Sequence, residues 1–572
     1  MDKTAKPLTL TIAFTAALLV ATFVSGQGRV ATNVGEDARK WDGGPGVPLH
    51  PDQNLELQMK LKRPFTVVAV GDLLEFQPFS KSLDPDVQFF VNLTHAADLT
   101  IGDLEDEIYD FDNFGHYGVN LGTKEVADDW ANMGIKMVSR ANNKDQSAPG
   151  VWEDLREVER VGIVHVGVAH SMPEARMARY LQLPQGLVGE VGASAEGGTD
   201  ACCTGGTMVG VTSAQLAQMK AMKDSILARR KEVEVPVDMP PPDPDGTVNV
   251  FGITFTTATS HTRTESLGTG GRGRGGRDLG PNDGVKNSLN LTLFHGVTAE
   301  QMSQLRAIAG DTGTGDDLAA FGTQFRVMAR PGEHSFDMNQ KDLKEILTQI
   351  KTGKEASDFL AVNMHWHQNR FDFQHYSYDH FPADFEIKFA HDAIDEGADL
   401  FVAEGVHTIK GVEIYKGKPI FYGVSNYIFQ SGLMPQAKGE APGQTRSAVV
   451  AEPSGNTPQP APDENGVVGE HQTQGFWQLL PNLEGLLSSS HYEDGRLTEV
   501  RIYPVDLGQS YRPTDQVGIP RKPSPAVTKK ILDEVVEYSK PFGTKITIEN
   551  GIAVIHISSG GRDSGVVNGT TP

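Results

Sequence analysis

Asp72, Glu105, Asn143, His365 and His407 lie far apart in the chain, yet each follows an extended apolar run. A set that mixes carboxylates, an amide and imidazoles suits Mn²⁺, Fe or Zn²⁺ better than Mg²⁺, which seldom takes imidazole. Taken singly each residue is ordinary; Gly71-Asp72, for example, reads equally well as a turn. Five in order, each at the tip of a candidate strand, point to one or two divalent metal ions, because a parallel sheet brings successive C-terminal strand tips to one crevice.

Short β-branched runs alternate with helix-like segments, the signature of an α/β fold. Phe65–Val70 ends at Gly71-Asp72, Ala97–Ile101 at Gly102-Asp103-Leu104-Glu105, and Ile135–Ser139 at Asn142-Asn143. Ile163–Gly167 is a fourth strand and Gly186–Gly192 a fifth. From residue 194 to 353 the pattern loosens into an insertion, with helices over Ser213–Glu232, Thr298–Ala309 and Gln340–Thr352. It tightens again at Phe359–Met364, which ends at His365-Trp366-His367, and at Asp399–Ala403, which ends at Glu404-Gly405-Val406-His407. Residues 431–475 read as a long flexible loop, 476–558 as a C-terminal part of the same domain, and 559–572 as a disordered tail.

The chain has 572 residues, of which 74 are acidic and 51 basic, for a net charge of −23. That field repels nucleic acid and anionic membrane surfaces, so nucleic-acid binding is not expected. Lys3 and Lys6 precede an apolar run from Leu8 to Val24, with small residues Ser25-Gly26 after it, so residues 1–26 read as a signal peptide ahead of a polar extension over 27–63. The protein is therefore expected to be exported, to a periplasmic or extracellular location, with membrane attachment only if that segment is retained. The two cysteines, Cys202 and Cys203, are adjacent, and closing them into one ring is badly strained.

The series Gly71-Asp72, Gly102-Asp103-Leu104-Glu105, Ala141-Asn142-Asn143, His365-Trp366, Gly397-Ala398-Asp399 and Gly417-Lys418-Pro419-Ile420 before Ser425-Asn426-Tyr427 resembles the capsule-synthesis CapA family. The likeness covers 64–170 and 354–430, and the family is associated with poly-γ-glutamate capsule production. It implies a four-layer sandwich related to the calcineurin-like metallophosphoesterases, with two mixed sheets flanked by helices. The core would comprise 64–193 and 354–430, with a C-terminal α+β extension. By the same resemblance Asp72, Glu105, Asn143, His365, Glu404 and His407 are the implied metal ligands. The implied partners are an anionic polymer or phosphorylated substrate and capsule-assembly proteins.

The departures fall at the chemistry. Lys144 stands where the family has the histidine that helps protonate a leaving group, and a lysine with a pKa near ~10.4 is a poor donor at neutral pH. His367 and His116 are the next candidate donors. Glu404 replaces a histidine, keeping a ligand while adding negative charge. Two readings stand: a metal-dependent hydrolase of phosphate esters or polymer bonds, and a catalytically inactive polymer-binding or assembly protein on the same fold. His375, His380 and His391 lie near His365 in sequence and either form a second metal site or pack among aromatic residues. The run Gly271–Gly276 alternates Gly with Arg without a phosphate-loop ending, and reads as a surface loop or an anion-contacting lid.

Overall fold

The computed structural model describes residues 53–110, 121–143, 151–197, 207–232, 243–257, 284–371, 379–430, 483–509 and 516–557. Lys144, His116, His375, Cys202, Cys203, the Gly271–Gly276 run, residues 1–26, most of the 27–63 extension, the 431–475 loop and the tail after 559 lie outside them. Among the described residues no helix is long and apolar enough to cross a membrane. The described residues from Met59 onward form one compact unit.

Strands β1 (Phe65–Leu74), β2 (Leu99–Asp103), β3 (Met137–Ser139) and β4 (Val164–Val166) run parallel in that order in a first sheet. Strands β5 (Gly186–Glu196), β6 (Ser288–Val297), β7 (Phe359–His365), β8 (Leu400–Glu404) and β9 (Lys418–Phe421) build a second, in the spatial order β6-β5-β7-β8-β9, all parallel. Strand β10 (Asn426–Phe429) returns to pair with β1. The hairpin β11 (Glu484–Glu493) and β12 (Arg496–Asp506) then extends the first sheet antiparallel to β1. The first sheet is therefore mixed, and so is the second, where His334–Met338 runs antiparallel to β6 and Val412–Tyr415 antiparallel to β9. The region read as an insertion supplies β6 and the strand His334–Met338 to the second sheet, and residue 194 falls inside β5.

Alternation along the strands sets which side chains face the gap between the sheets. Phe65, Val67 and Ala69 of β1, Leu99 and Ile101 of β2, Phe359 and Ala361 of β7, and Leu400 and Val402 of β8 share one core. Phe65 meets Phe359 edge-on at 5.1 Å between centroids, joining the sheets where those strands begin. Such a ring pair is worth about 0.5–1.5 kcal/mol beyond its buried area. Continuing the same two-residue step brings Asp103, Asn363, His365 and Glu404 onto the inner stripe at or near the strand ends, and Glu190 midway along β5 opposite Ala361, all of them buried. The inner face thus turns from apolar to polar towards one end.

Helices cover the outer faces. Strands β1 to β3 show Val68, Val70 and Val138 to helices α1 (Pro85–Ala96), α2 (Glu125–Met133) and α3 (Val151–Arg160). Strands β7 and β8 show Leu360, Val362, Met364 and Phe401 to α4 (Gln340–Ala356) and α5 (Asp384–Asp395). The start of α1 is set locally: the Asp84 side chain accepts from the Asp86 amide at 2.9 Å and Pro85 occupies the first helical position. At the end of α4, the fully buried Lys354 ammonium lies 2.8 Å from the equally buried Asp399 carboxylate, which precedes β8.

Replacing Lys354 with Met should lower unfolding free energy by about 3 kcal/mol, the lower end for breaking a buried pair, because Lys418 still reaches Asp399 at 3.0 Å. A urea midpoint unchanged from the native chain would show that this pair does not hold α4 to β8.

Candidate metal centre

Asp72 does not sit in a turn after β1, as the sequence pattern suggests, but within it, where the pairing register shifts against both β2 and β10. The irregularity lets β1 be paired on one side by β2 and on the other by β11 and then β10. Gly71 makes the approach feasible, since a Cβ there would lie 1.6 Å from the Ser425 carbonyl oxygen. The Asp72 amide donates to that same oxygen at 3.3 Å, and the Gly405 amide donates to Asp72 Oδ1 at 2.9 Å. Asp72 Oδ2 is left buried without a hydrogen bond, 3.1 Å from His407 Nδ1.

His365 closes β7, opposite Glu404 of β8. Its Nδ1 lies 3.0 Å from Asp103 Oδ2, an acceptor, so Nδ1 carries a proton and Nε2 faces the centre. His407 is fixed the same way: Nδ1 donates to Asn426 Oδ1 at 2.8 Å, and Nε2 lies 3.8 Å from Glu105 Oε1. His365 Nε2 is 4.0 Å from that same Glu105 oxygen. An outer acceptor that fixes the tautomer and turns Nε2 inward is the arrangement of metal-binding histidines. His407 holds this pose with φ of +53°, a left-handed conformation that is uncommon away from glycine.

His367 Nε2 approaches His365 Nε2 at 2.9 Å and Asn143 Nδ2 at 3.0 Å. One ring nitrogen cannot donate to the imidazole and accept from the amide together, so protons alone satisfy this corner poorly. Three overlapping groups, Asp72–Glu105–His407, Glu105–His365–His367 and Asp72–Asp103–His365, each have ligand atoms within 4.8 Å of one another. This donor set fits divalent metal. The sequence-derived ligands therefore divide. Asp72, Glu105, His365 and His407 converge, Asn143 stands exposed at the rim beside His367, and buried Glu404 belongs to none of the three groups.

Electrostatics follow from so many acids in one dry place. Burial opposes charging His365, but the charge and hydrogen bond of Asp103 more than reverse this and hold its pKa above the ordinary histidine range. Burial, then the charges of Asp103, Asp72 and Glu190, push Glu404 well above the usual carboxylate range. Glu190 is pushed up to about 8, first by burial and then by Asp103.

Sequence reasoning passed over several parts of this architecture. In sequence Asp103 is only one member of the Gly102-Asp103-Leu104-Glu105 motif, yet it orients His365. It is itself approached by Asn142 Nδ2 at 3.3 Å; Asn142 Oδ1 accepts from Arg140 at 2.7 Å, and the fully buried Arg140 pairs with Asp154 of α3 at 2.9 Å. Gly405, at φ of +83°, leaves the room His365 occupies: a Cβ there would lie 2.6 Å from the imidazole.

Similarity to known proteins shows the family of the chain. The profile of the bacterial capsule synthesis protein PGA_cap matches residues 66–237 and 293–431, a little over half of the chain, and the chain belongs to that family. The uncharacterized proteins y4sH and y4uA of Sinorhizobium fredii are each 28% identical to it over 508 residues, covering 86% of this chain and 93% of theirs. The PGA biosynthesis protein CapA of Bacillus subtilis is 31% identical over 91 residues, 16% of this chain and 22% of its own. A crystal structure of a hypothetical protein from Thermus thermophilus aligns with 77% of this chain and 99% of its own at a TM-score of 0.31 and 11% identity.

Gly405→Ala should displace His365 and weaken metal binding by about 10–100-fold, the range for losing support behind a ligand. Circular dichroism should stay native. Isothermal titration with Mn²⁺ checks this; unchanged affinity would mean that His365 is not a ligand.

Proposed function

We propose, on the premise of that membership, that this is an exported capsule-synthesis protein whose buried centre holds divalent Mn, Fe or Zn. Its reaction would be hydrolysis of a phosphate ester or of a bond in an anionic polymer such as poly-γ-glutamate. The observation that carries the reading is the matched pair of imidazoles, each fixed through Nδ1 by an outer acceptor and each presenting Nε2 to Glu105. The sequence of layers, helices on sheet, sheet on sheet and sheet on helices, supports the kinship with metallophosphoesterases drawn from the motifs. Asp72, Glu105, His365 and His407 would hold the metal, which supplies Lewis acidity and an acidified bound water.

The remaining work falls to the rim. Asn143 is exposed there and is placed to orient a substrate oxygen, while half-buried His367 beside it is placed to move a proton to the leaving group. The Lys286 ammonium, from a segment outside the family match, reaches the Asn142 carbonyl at 2.6 Å and Glu196 at 3.0 Å. It brings positive charge beside Asn143, where an anionic substrate would dock. Export rests on residues 1–26 acting as a signal peptide, and capsule-assembly proteins are the expected partners. The second reading, an inactive polymer-binding member, is favoured by Glu404, a buried carboxyl group opposite His365 that stands where the resemblance implies an imidazole and whose pKa is pushed well above the usual carboxylate range.

A panel of phosphodiesters and γ-glutamyl substrates, run with metal analysis, separates the two. Under the hydrolase reading His407→Ala abolishes metal and turnover together. His367→Ala keeps metal and lowers turnover by about 10²–10⁴-fold, the usual worth of a general acid. Full metal occupancy with no turnover on any substrate contradicts the hydrolase and leaves the binding reading. Lys286→Ala should raise KM for anionic substrates with little change in kcat, and an unchanged KM removes Lys286 from substrate binding.

A further inference from the structure

A two-stranded ribbon lies beside the rim, just past β4. Val168 and Ala169 pair antiparallel with Lys286 and Val285, so Lys286 stands opposite Val168. One residue further, the register sets Gly284 beside His170, on the face that Lys286 and Val168 share. Glycine keeps the ribbon this close to the start of α3: a Cβ at Gly284 would fall 2.6 Å from Val168 Cγ1, 2.7 Å from Val151 Cγ1 and 3.5 Å from Trp152 Cζ2. Trp152 thus sits beside Gly284, and the exposed His170 ring stacks on its half-buried indole, with centroids 4.0 Å apart and planes 22° apart. At the other end of the same face the Lys286 ammonium reaches the Asn142 carbonyl, next to Asn143.

This shelf keeps donors unused where the core does not. Buried Trp130 and Trp366 give their indole N–H groups to Glu75 at 2.8 Å and to the Tyr422 carbonyl at 3.3 Å. Among the described residues the Trp152 N–H and the His170 ring nitrogens have no hydrogen-bond partner. In either neutral tautomer the imidazole adds one N–H to that of the indole. Glu196 offsets part of the Lys286 charge at 3.0 Å, and the two N–H donors add to what remains. A ligand that fits carries an anionic group for the donors and an apolar stretch for the rings. A γ-linked glutamate chain has both in every unit, a carboxylate and two methylenes. The step along the ribbon from Lys286 to Gly284 is about 7 Å. A γ-linked unit runs through five backbone bonds, roughly 6 Å. Neighbouring units of one chain therefore reach both ends of the shelf, and a single glutamate or phosphate reaches one.

We propose that Trp152, His170 and Lys286 form a subsite that holds a γ-glutamyl polymer where it leaves the metal centre. The Trp152 N–H and the His170 imidazole bind the carboxylate of one unit, the stacked rings cover its methylenes, and Lys286 holds the unit nearer the metal. This rests on the reading of the substrate as an anionic polymer and narrows it to a chain of several units. It needs neither bound metal nor turnover.

The test is calorimetric titration of the full chain, stripped of metal with chelator, with a γ-linked glutamate decamer. The decamer should bind more tightly than free glutamate or inorganic phosphate. Trp152→Phe, which keeps the packing and the net charge but loses the N–H, should weaken the decamer about tenfold, as should His170→Ala, the scale of one hydrogen bond to a charged group. Linear polyphosphate of matched charge, which has no methylenes for the rings, should bind at least about tenfold more weakly than the decamer. Decamer affinity unchanged in both folded variants, equal affinity for polyphosphate, or no decamer binding to the native chain overturns the proposal. The hydrolase reading fails separately: decamer binding that both variants weaken, with no turnover of any substrate, upholds the subsite and rejects the hydrolase. Turnover of a small phosphodiester without decamer binding rejects the subsite and upholds the hydrolase.

Discussion

Negative charge held out of water is the constraint around which this protein is built. Asp72, Asp103, Glu105 and Glu404 are all fully buried at one end of the inter-sheet space, and fully buried Glu190 lies further in, opposite Ala361. His365 pairs with Asp103 and Glu105, and His407 with Asp72 and Glu105. Carboxylates so placed must take up protons or share a cation, and the raised pKa values of Asp103, Glu190 and Glu404 are the proton-bound expression of that pressure. A metal ion is the alternative, and it displaces protons when it binds. The two faces of the same constraint explain why the imidazoles are locked by outer acceptors before any ligand arrives.

What makes the arrangement affordable is the apolar packing at the other end of the strands. Phe65, Phe359 and Tyr492 interlock where β1 and β7 begin, and Tyr492 donates to the Asp399 carbonyl at 3.2 Å. The sheets are thus pinned at one end and free to hold polar groups at the other. Glycine is used where backbone or ring must come closest: Gly71 against Ser425 and Gly405 against His365. The buried Arg140 and Asp154 pair extends the support outward, from α3 through Asn142 to Asp103.

The metal-facing residues were legible in the sequence because each stands at or near the C-terminal end of a strongly apolar strand, a pattern that survives without knowing how the sheets pair. Glu190 and Asn363 were not, because they lie inside runs such as Leu187–Ala193 and Phe359–Met364, where only the facing sheet decides which side is lined with polar groups. Strand β11 was missed for a related reason. Ser488-Ser489-Ser490 breaks its apolar pattern, although all three are buried and Ser488 donates to the Ala69 carbonyl at 3.1 Å. Asn426 was noticed as part of a motif, but its role behind His407 depends on the left-handed turn at that histidine. Lys144, the departure that weighed most in the sequence, lies outside the described residues.

The claim on which the rest depends is that the buried imidazole–carboxylate centre is a metal site. Metal analysis of the protein purified without chelator, joined to diffraction at the absorption edge of the metal found, tests it most directly. The account predicts an ion bonded at about 2.0–2.2 Å to His407 Nε2 and to oxygens of Asp72 and Glu105. A well-ordered centre with no anomalous signal under saturating Mn²⁺ and Zn²⁺, its carboxylates protonated and its histidines hydrogen-bonded to one another, would contradict it.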